Sequence, residues 1–180
     1  MGGRGASSNR ASNGGAGGGG NNTIDIADGI KQKKLINDLA KEYDTRLKKV
    51  TTGAKNAAGD TDIAGATMRL NSSDAAAAYH EFAHTLANTD ADKYGLTDTK
   101  DFFKELKKIH RKYLKEVGAD TSRWVSSYEH ASGDVNEFLA ESFAQNKIIK
   151  SGKELPSKYT KDTTYTDQVM KVVDKYFKKK

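Results

Sequence analysis

The chain has 180 residues, 30 of them Lys or Arg and 24 Asp or Glu, for a net charge of +6, with one Pro and no Cys. That length suits one domain, with or without a tail. The absence of Cys excludes a disulfide scaffold and every thiolate-ligated metal, haem or iron–sulfur site, so any metal site must draw on His, Asp or Glu.

Residues 1–22 are Gly, Ala, Ser and Asn with two Arg. They offer nothing to bury and are expected as a flexible tether before a domain spanning 23–180. A tether there suggests a preceding piece of a larger polypeptide or a linker. Ile36, Leu39, Tyr43 and Leu47 recur every three or four residues, which predicts a helix from about Ile30 to Lys48. From Val50 to Leu70, Thr and apolar residues interrupted by Gly53, Gly59 and Gly65 predict a small, irregular sheet whose last strand is Gly65–Leu70.

Asn71-Ser72-Ser73-Asp74 is a helix-start signal, with either Ser as the cap and Asp74 at the positive end of the dipole. The helix that follows runs to about Asn88 and opens with Ala75 to Ala78, slim enough for close packing in a core. Asp98 to Val117 carries an apolar stripe (Phe102, Leu106, Ile109, Tyr113, Val117) on a Lys-rich helix ended by Gly118. His110 lies beside that stripe and is expected at the surface or half-buried rather than as a ligand. Trp124 to Gly133 is predicted as a loop, Asp134 to Lys150 as a helix stopped by Gly152, and about Thr166 to Lys178 as a last helix. The expected fold is therefore α+β: five principal helices and a small twisted sheet.

No stretch approaches the roughly 20 apolar residues of a membrane span, and the N-terminus shows no apolar segment of a signal peptide. The positive charge is spread over Lys-rich helices and Lys178–Lys180 and reads as a solvated surface. No nucleic-acid reader motif accompanies it, so nucleic acid is not an expected partner.

Residues 80–84 read His80-Glu81-Phe82-Ala83-His84, the HExxH pattern inside a predicted helix. Histidines four apart leave the same helix face, and two imidazoles so placed can meet one Zn²⁺. Glu81 borders that face and can act on a water without binding the metal. The competing interpretation is two surface histidines on an ordinary helix. A tetrahedral catalytic zinc needs a third protein ligand and leaves one position open. Downstream, Asn136-Glu137-Phe138-Leu139-Ala140-Glu141-Ser142-Phe143-Ala144 places two carboxylates on one helix face beside apolar residues, where both are unfavourable without a partner. On spacing alone, either Glu137 or Glu141 can be the third ligand.

HEFAH followed by a tyrosine and then NEFLAESFA resembles the gluzincin metallopeptidases. Within them it is similar to the anthrax lethal factor catalytic-domain type, whose downstream helix reads close to EFFAEAF. Similar domains occur in bacterial secreted peptidases and at the C-terminal ends of some phage minor head proteins. The resemblance covers about Gly65 to Ile149 and implies a zincin-like fold and a zinc-dependent endopeptidase. It makes His80, His84 and Glu137 the zinc ligands, Glu81 the general base for a zinc-held water, and Glu141 a carboxylate that orients a ligating histidine. It also implies a tyrosine facing the oxyanion. Tyr128 is the candidate, but the family's tyrosine lies about two residues nearer the ligand, where this chain has His130, so the position allows either to donate. A peptide or protein substrate is expected along an exposed edge strand at Gly65–Leu70. The alternative is a non-catalytic zincin-fold module of a phage head or toxin-associated protein.

Overall fold

The computed structural model describes residues 23–55, 58–62, 64–71, 73–89 and 99–180. The expected tether at 1–22 lies outside these residues, as do Ser72 and the start of the Asp98–Val117 helix. Among the described residues the fold is α+β. Strands β1 (Asp25–Ile26), β2 (Lys49–Thr51), β3 (Gly59–Thr61) and β4 (Thr67–Leu70) form one sheet. Six α-helices accompany it: α1 (Lys33–Glu42), α2 (Ala75–Leu86), α3 (Lys100–Val117), α4 (Ser127–Ser132), α5 (Val135–Lys150) and α6 (Thr164–Phe177). None of the described helices is long and apolar enough to cross a membrane.

The sheet order is β1-β2-β4-β3, with β1 parallel to β2, β2 parallel to β4, and β3 antiparallel to β4. This corrects the expectation for Gly65–Leu70. The strand in that segment, β4, is interior, paired on both sides, and the edges are β1 and β3. After Thr61 the chain turns back, with Gly65 N–H donating to the Asp62 carbonyl at a positive φ, so β3 and β4 pair; β2 then takes the other side of β4 and leaves β3 outermost.

The first helix is shorter than its apolar spacing predicts. It ends at Glu42, Tyr43 is extended, and Asp44 N–H bonds the Phe177 carbonyl at 2.7 Å. Leu47 is still buried, but on an extended segment entering β2. The predicted loop before Gly133 contains helix α4. Ser126 caps it, its Oγ accepting from Glu129 N–H at 3.0 Å, and Gly133 closes it in the left-handed region.

Helix α2 is the centre of the fold. Asp74, rather than a serine, caps it by accepting from Ala76 N–H. Its buried residues run around most of its circumference, from Ala76, Ala78 and Tyr79 to Phe82, Ala83 and Leu86, the pattern of a helix covered on several sides. Sheet strands β3 and β4 pack on one side and α5 on the other, where Phe82 stacks on Phe143 with ring centres 6.1 Å apart. The small residues of α2 allow these close approaches. As a result, His80 and His84 face α5 and Glu81 faces the edge strand.

Candidate metal centre

The histidines of α2 and the first turns of α5 line one cleft of about 570 Å³. Asp134 caps α5 by accepting from Asn136 N–H, which places Glu137 in the first turn and Glu141 one turn later on the same face. Asn136 also ties the two helices together: its Oδ1 accepts from Thr89 N–H at 3.0 Å and its Nδ2 donates to Thr89 Oγ1 at 2.7 Å.

Two imidazole nitrogens and the Glu137 carboxylate converge between the helices. His80 Nε2 lies 3.3 Å from His84 Nε2 and 3.3 Å from Glu137 Oε2, and His84 Nε2 lies 3.7 Å from Glu137 Oε1. A tetrahedron with bonds of about 2.0–2.1 Å, the usual histidine–zinc length, has edges of roughly 3.3–3.4 Å. Glu137 Oε2 is buried, orphaned of a hydrogen bond although it lies beside His80 Nε2. The His80, His84 and Glu137 group could hold a metal ion, and both the donor set and the orphaned oxygen fit one.

Glu141 is fully buried, and its Oε1 is 2.8 Å from His80 Nδ1. The carboxylate thus takes the ring nitrogen that faces away from Glu137, leaving Nε2 for the centre. The same oxygen accepts a second bond, at 2.8 Å, from Lys158 Nζ.

The charges of the cluster are coupled. Burial opposes a charge on His80, but Glu137 and Glu141 outweigh it and hold the imidazole up to about 9. Burial, and then the neighbouring His80, push His84 down to about 4. Burial alone would raise Glu141, yet His80 and Lys158 hold it down to about 2. Glu137 is lowered too, by His80 and His84 against its own burial. Two lowered carboxylates beside the two imidazoles are a donor set that could hold a cation.

Glu81 stands beside this group and outside it. It is buried, Thr61 Oγ1 donates to its Oε2 at 2.9 Å, and burial raises its carboxyl above the usual range. Gly59 makes room for it. A Cβ there would lie 2.8 Å from Glu81 Cγ, 3.0 Å from Leu70 Cδ2 and 3.1 Å from the Arg69 carbonyl oxygen. The edge strand and the carboxylate can approach each other only because position 59 has no side chain.

Of the two oxyanion candidates, the structure brings only Tyr128 to the cleft. Its ring is half exposed, edge-on to His80 with centres 6.2 Å apart, and the nearby Glu137 raises its phenol pKa. His130 is two residues on along α4 and points elsewhere, stacked on Trp124 with ring centres 3.8 Å apart. A helix in place of a loop is what turns the two side chains to different faces.

Sequence reasoning missed Thr61, Gly59 and Lys158. Gly59 reads as a strand breaker until Glu81 is seen beside it. Lys158 follows Pro156 in a segment without periodicity, and nothing in its sequence neighbourhood marks it. Helix α4 did carry a signal: Ser126-Ser127-Tyr128-Glu129 is the Ser-x-x-Glu capping pattern. No protein-family model matches the chain, and no curated protein and no solved structure match it.

Proposed function

We propose that the chain is a zinc-dependent endopeptidase of the gluzincin type, with a zincin-like arrangement of its edge strand and active helix. The observation that carries this reading is Glu81: a buried carboxylate beside the His80, His84 and Glu137 donors but not one of them. A purely structural metal site has no use for it.

His80, His84 and Glu137 would hold the zinc, which when bound would supply Lewis acidity toward a scissile carbonyl. Glu81 accepts a proton from the attacking water at Oε1, the oxygen opposite the one bonded to Thr61, and delivers it to the leaving amine. Its raised pKa brings it nearer the range in which a carboxylate can both take and return a proton. Tyr128 donates its hydroxyl proton to the developing oxyanion. Glu141 holds His80 through Nδ1 and keeps its Nε2 directed at the donor group. The substrate enters extended along β3, the edge strand, whose Gly59, Asp60 and Thr61 line the cleft.

The test is metal content by elemental analysis of the purified protein, combined with digestion of a mixed peptide pool with and without chelator. Chelator-sensitive cleavage with one zinc per chain supports the reading. Stoichiometric zinc with no cleavage of any peptide would move the assignment to a non-catalytic module of the same fold.

A further inference from the structure

Among the described residues that line the cleft, Lys158 is the one Lys or Arg. The acidic residues around it are engaged locally. Asp60 pairs with Arg69 Nη2 at 2.5 Å, Asp74 and Asp134 cap α2 and α5, and Glu137 faces the two histidines. Lys158 differs from them. Its partner, Glu141 Oε1, is shared with His80 Nδ1, each at 2.8 Å, so one carboxylate serves two cationic neighbours. Its side chain is 37% exposed, whereas that of Glu141 is 0% exposed. An ammonium has three donors, and the bond to Glu141 uses one of them.

The position is also rigidly held. The Lys158 carbonyl accepts from Ser127 N–H at 3.0 Å, and Tyr159 pairs with Ser126 in an isolated antiparallel bridge. Lys158 is thus fastened to the segment that starts α4 and carries Tyr128. A cation fixed before the ligand arrives loses little freedom on binding.

We propose that Lys158 is a carboxylate-recognising subsite of the cleft, selecting peptides that present an acidic side chain or a free C-terminal carboxylate within its reach. The inference rests on the peptidase reading above. Lys158 is then a specificity-determining residue: it contacts the substrate and takes no part in bond cleavage.

The experiment starts from peptides cleaved in the mixed pool by the zinc-loaded protein. Each is resynthesised with a C-terminal amide in place of the acid and, separately, with every Asp and Glu replaced by Asn and Gln. kcat/KM is measured for wild type, Lys158→Gln and Lys158→Arg, with zinc content verified for each. Wild type should prefer the carboxylate form by about 10- to 100-fold, the range of a hydrogen bond to a charged group. Lys158→Arg should keep the preference and Lys158→Gln should lose it. The form that loses its advantage identifies the source of the carboxylate. Support of Glu141 alone would lower kcat/KM for both members of a pair equally, so the ratio reads the subsite.

A wild-type ratio near one, or a ratio unchanged in Lys158→Gln, overturns the subsite while leaving the peptidase reading intact. Absence of chelator-sensitive cleavage of every peptide overturns both. If Lys158→Gln fails to fold, Lys158→Met replaces it under the same two criteria.

Discussion

Among the described residues, two histidine–carboxylate groups are built differently. In the first, His80, His84 and Glu137 each bring a ligand atom to within 4.8 Å of the others in an open cleft. In the second, His110 Nε2 meets Glu129 Oε1 at 3.1 Å. The His110 ring lies stacked near Phe138 and Tyr113, with centres 4.7 and 6.2 Å away. His110 and Glu129 are both buried, and neither lines the cleft. Residue type is common to both groups. What separates them is convergence: the first brings donors from three residues to a cavity, whereas the second is a more deeply buried contact between α3 and the short helix α4, away from the cleft.

The largest expected effect separates the two groups outright. His80→Ala/His84→Ala should bind no stoichiometric metal and lose all chelator-sensitive activity. His110→Ala should keep one metal per chain. Elemental analysis of the three proteins decides this, and full zinc occupancy in the double variant would refute the site.

Next in size is Glu81→Gln, which should retain zinc and fold while losing about 10²–10⁴-fold in kcat, the usual worth of a positioned general base. Single-turnover cleavage beside zinc content checks it, and near-normal activity would remove Glu81 from its role.

The third prediction sharpens the comparison from the other side. His110→Ala removes a hydrogen-bond partner of the buried Glu129, which should cost about 1–3 kcal/mol of stability. Urea unfolding measures this. A stability change below about 1 kcal/mol would mean the pair braces nothing.

The smallest effect concerns pH. Because His80 is held up to about 9 in the metal-free cluster, the free site carries a proton below that pH, and metal must displace it. Affinity should therefore rise with pH by about tenfold per unit and level off above about 9. Calorimetry in buffers of different ionisation enthalpy would report about one proton released per metal at neutral pH. Zero protons released would show that His80 is neutral in the free site.

Much of the candidate site was legible in the chain because helix geometry carries it. Four-residue spacing puts His80 with His84, and Glu137 with Glu141, on shared faces whatever surrounds them. Helices α2, α3, α5 and α6 likewise lie close to their expected spans, from the start signal before α2 and the apolar residues of α3, α5 and α6, with Gly118 closing α3 and Gly152 following α5. Strand order was not legible. Which of two short, Gly-flanked strands becomes the edge depends on pairing between segments, and the pairing of β2 with β4 makes it β3 rather than β4.

By itself the sequence determined which residue types share a helix face, and so the composition of a metal-capable cluster. Tertiary structure decided which face met which. It brought α5 across α2 so that Glu137 joined the histidines while Glu141 took Nδ1. It turned Tyr128 into the cleft and His130 onto Trp124. It also delivered Lys158 from a segment with no pattern of its own. The physical reason is range: helical periodicity is set by backbone bonds four residues apart. The separation of 61 residues between His80 and Glu141 is closed only by packing of the whole core.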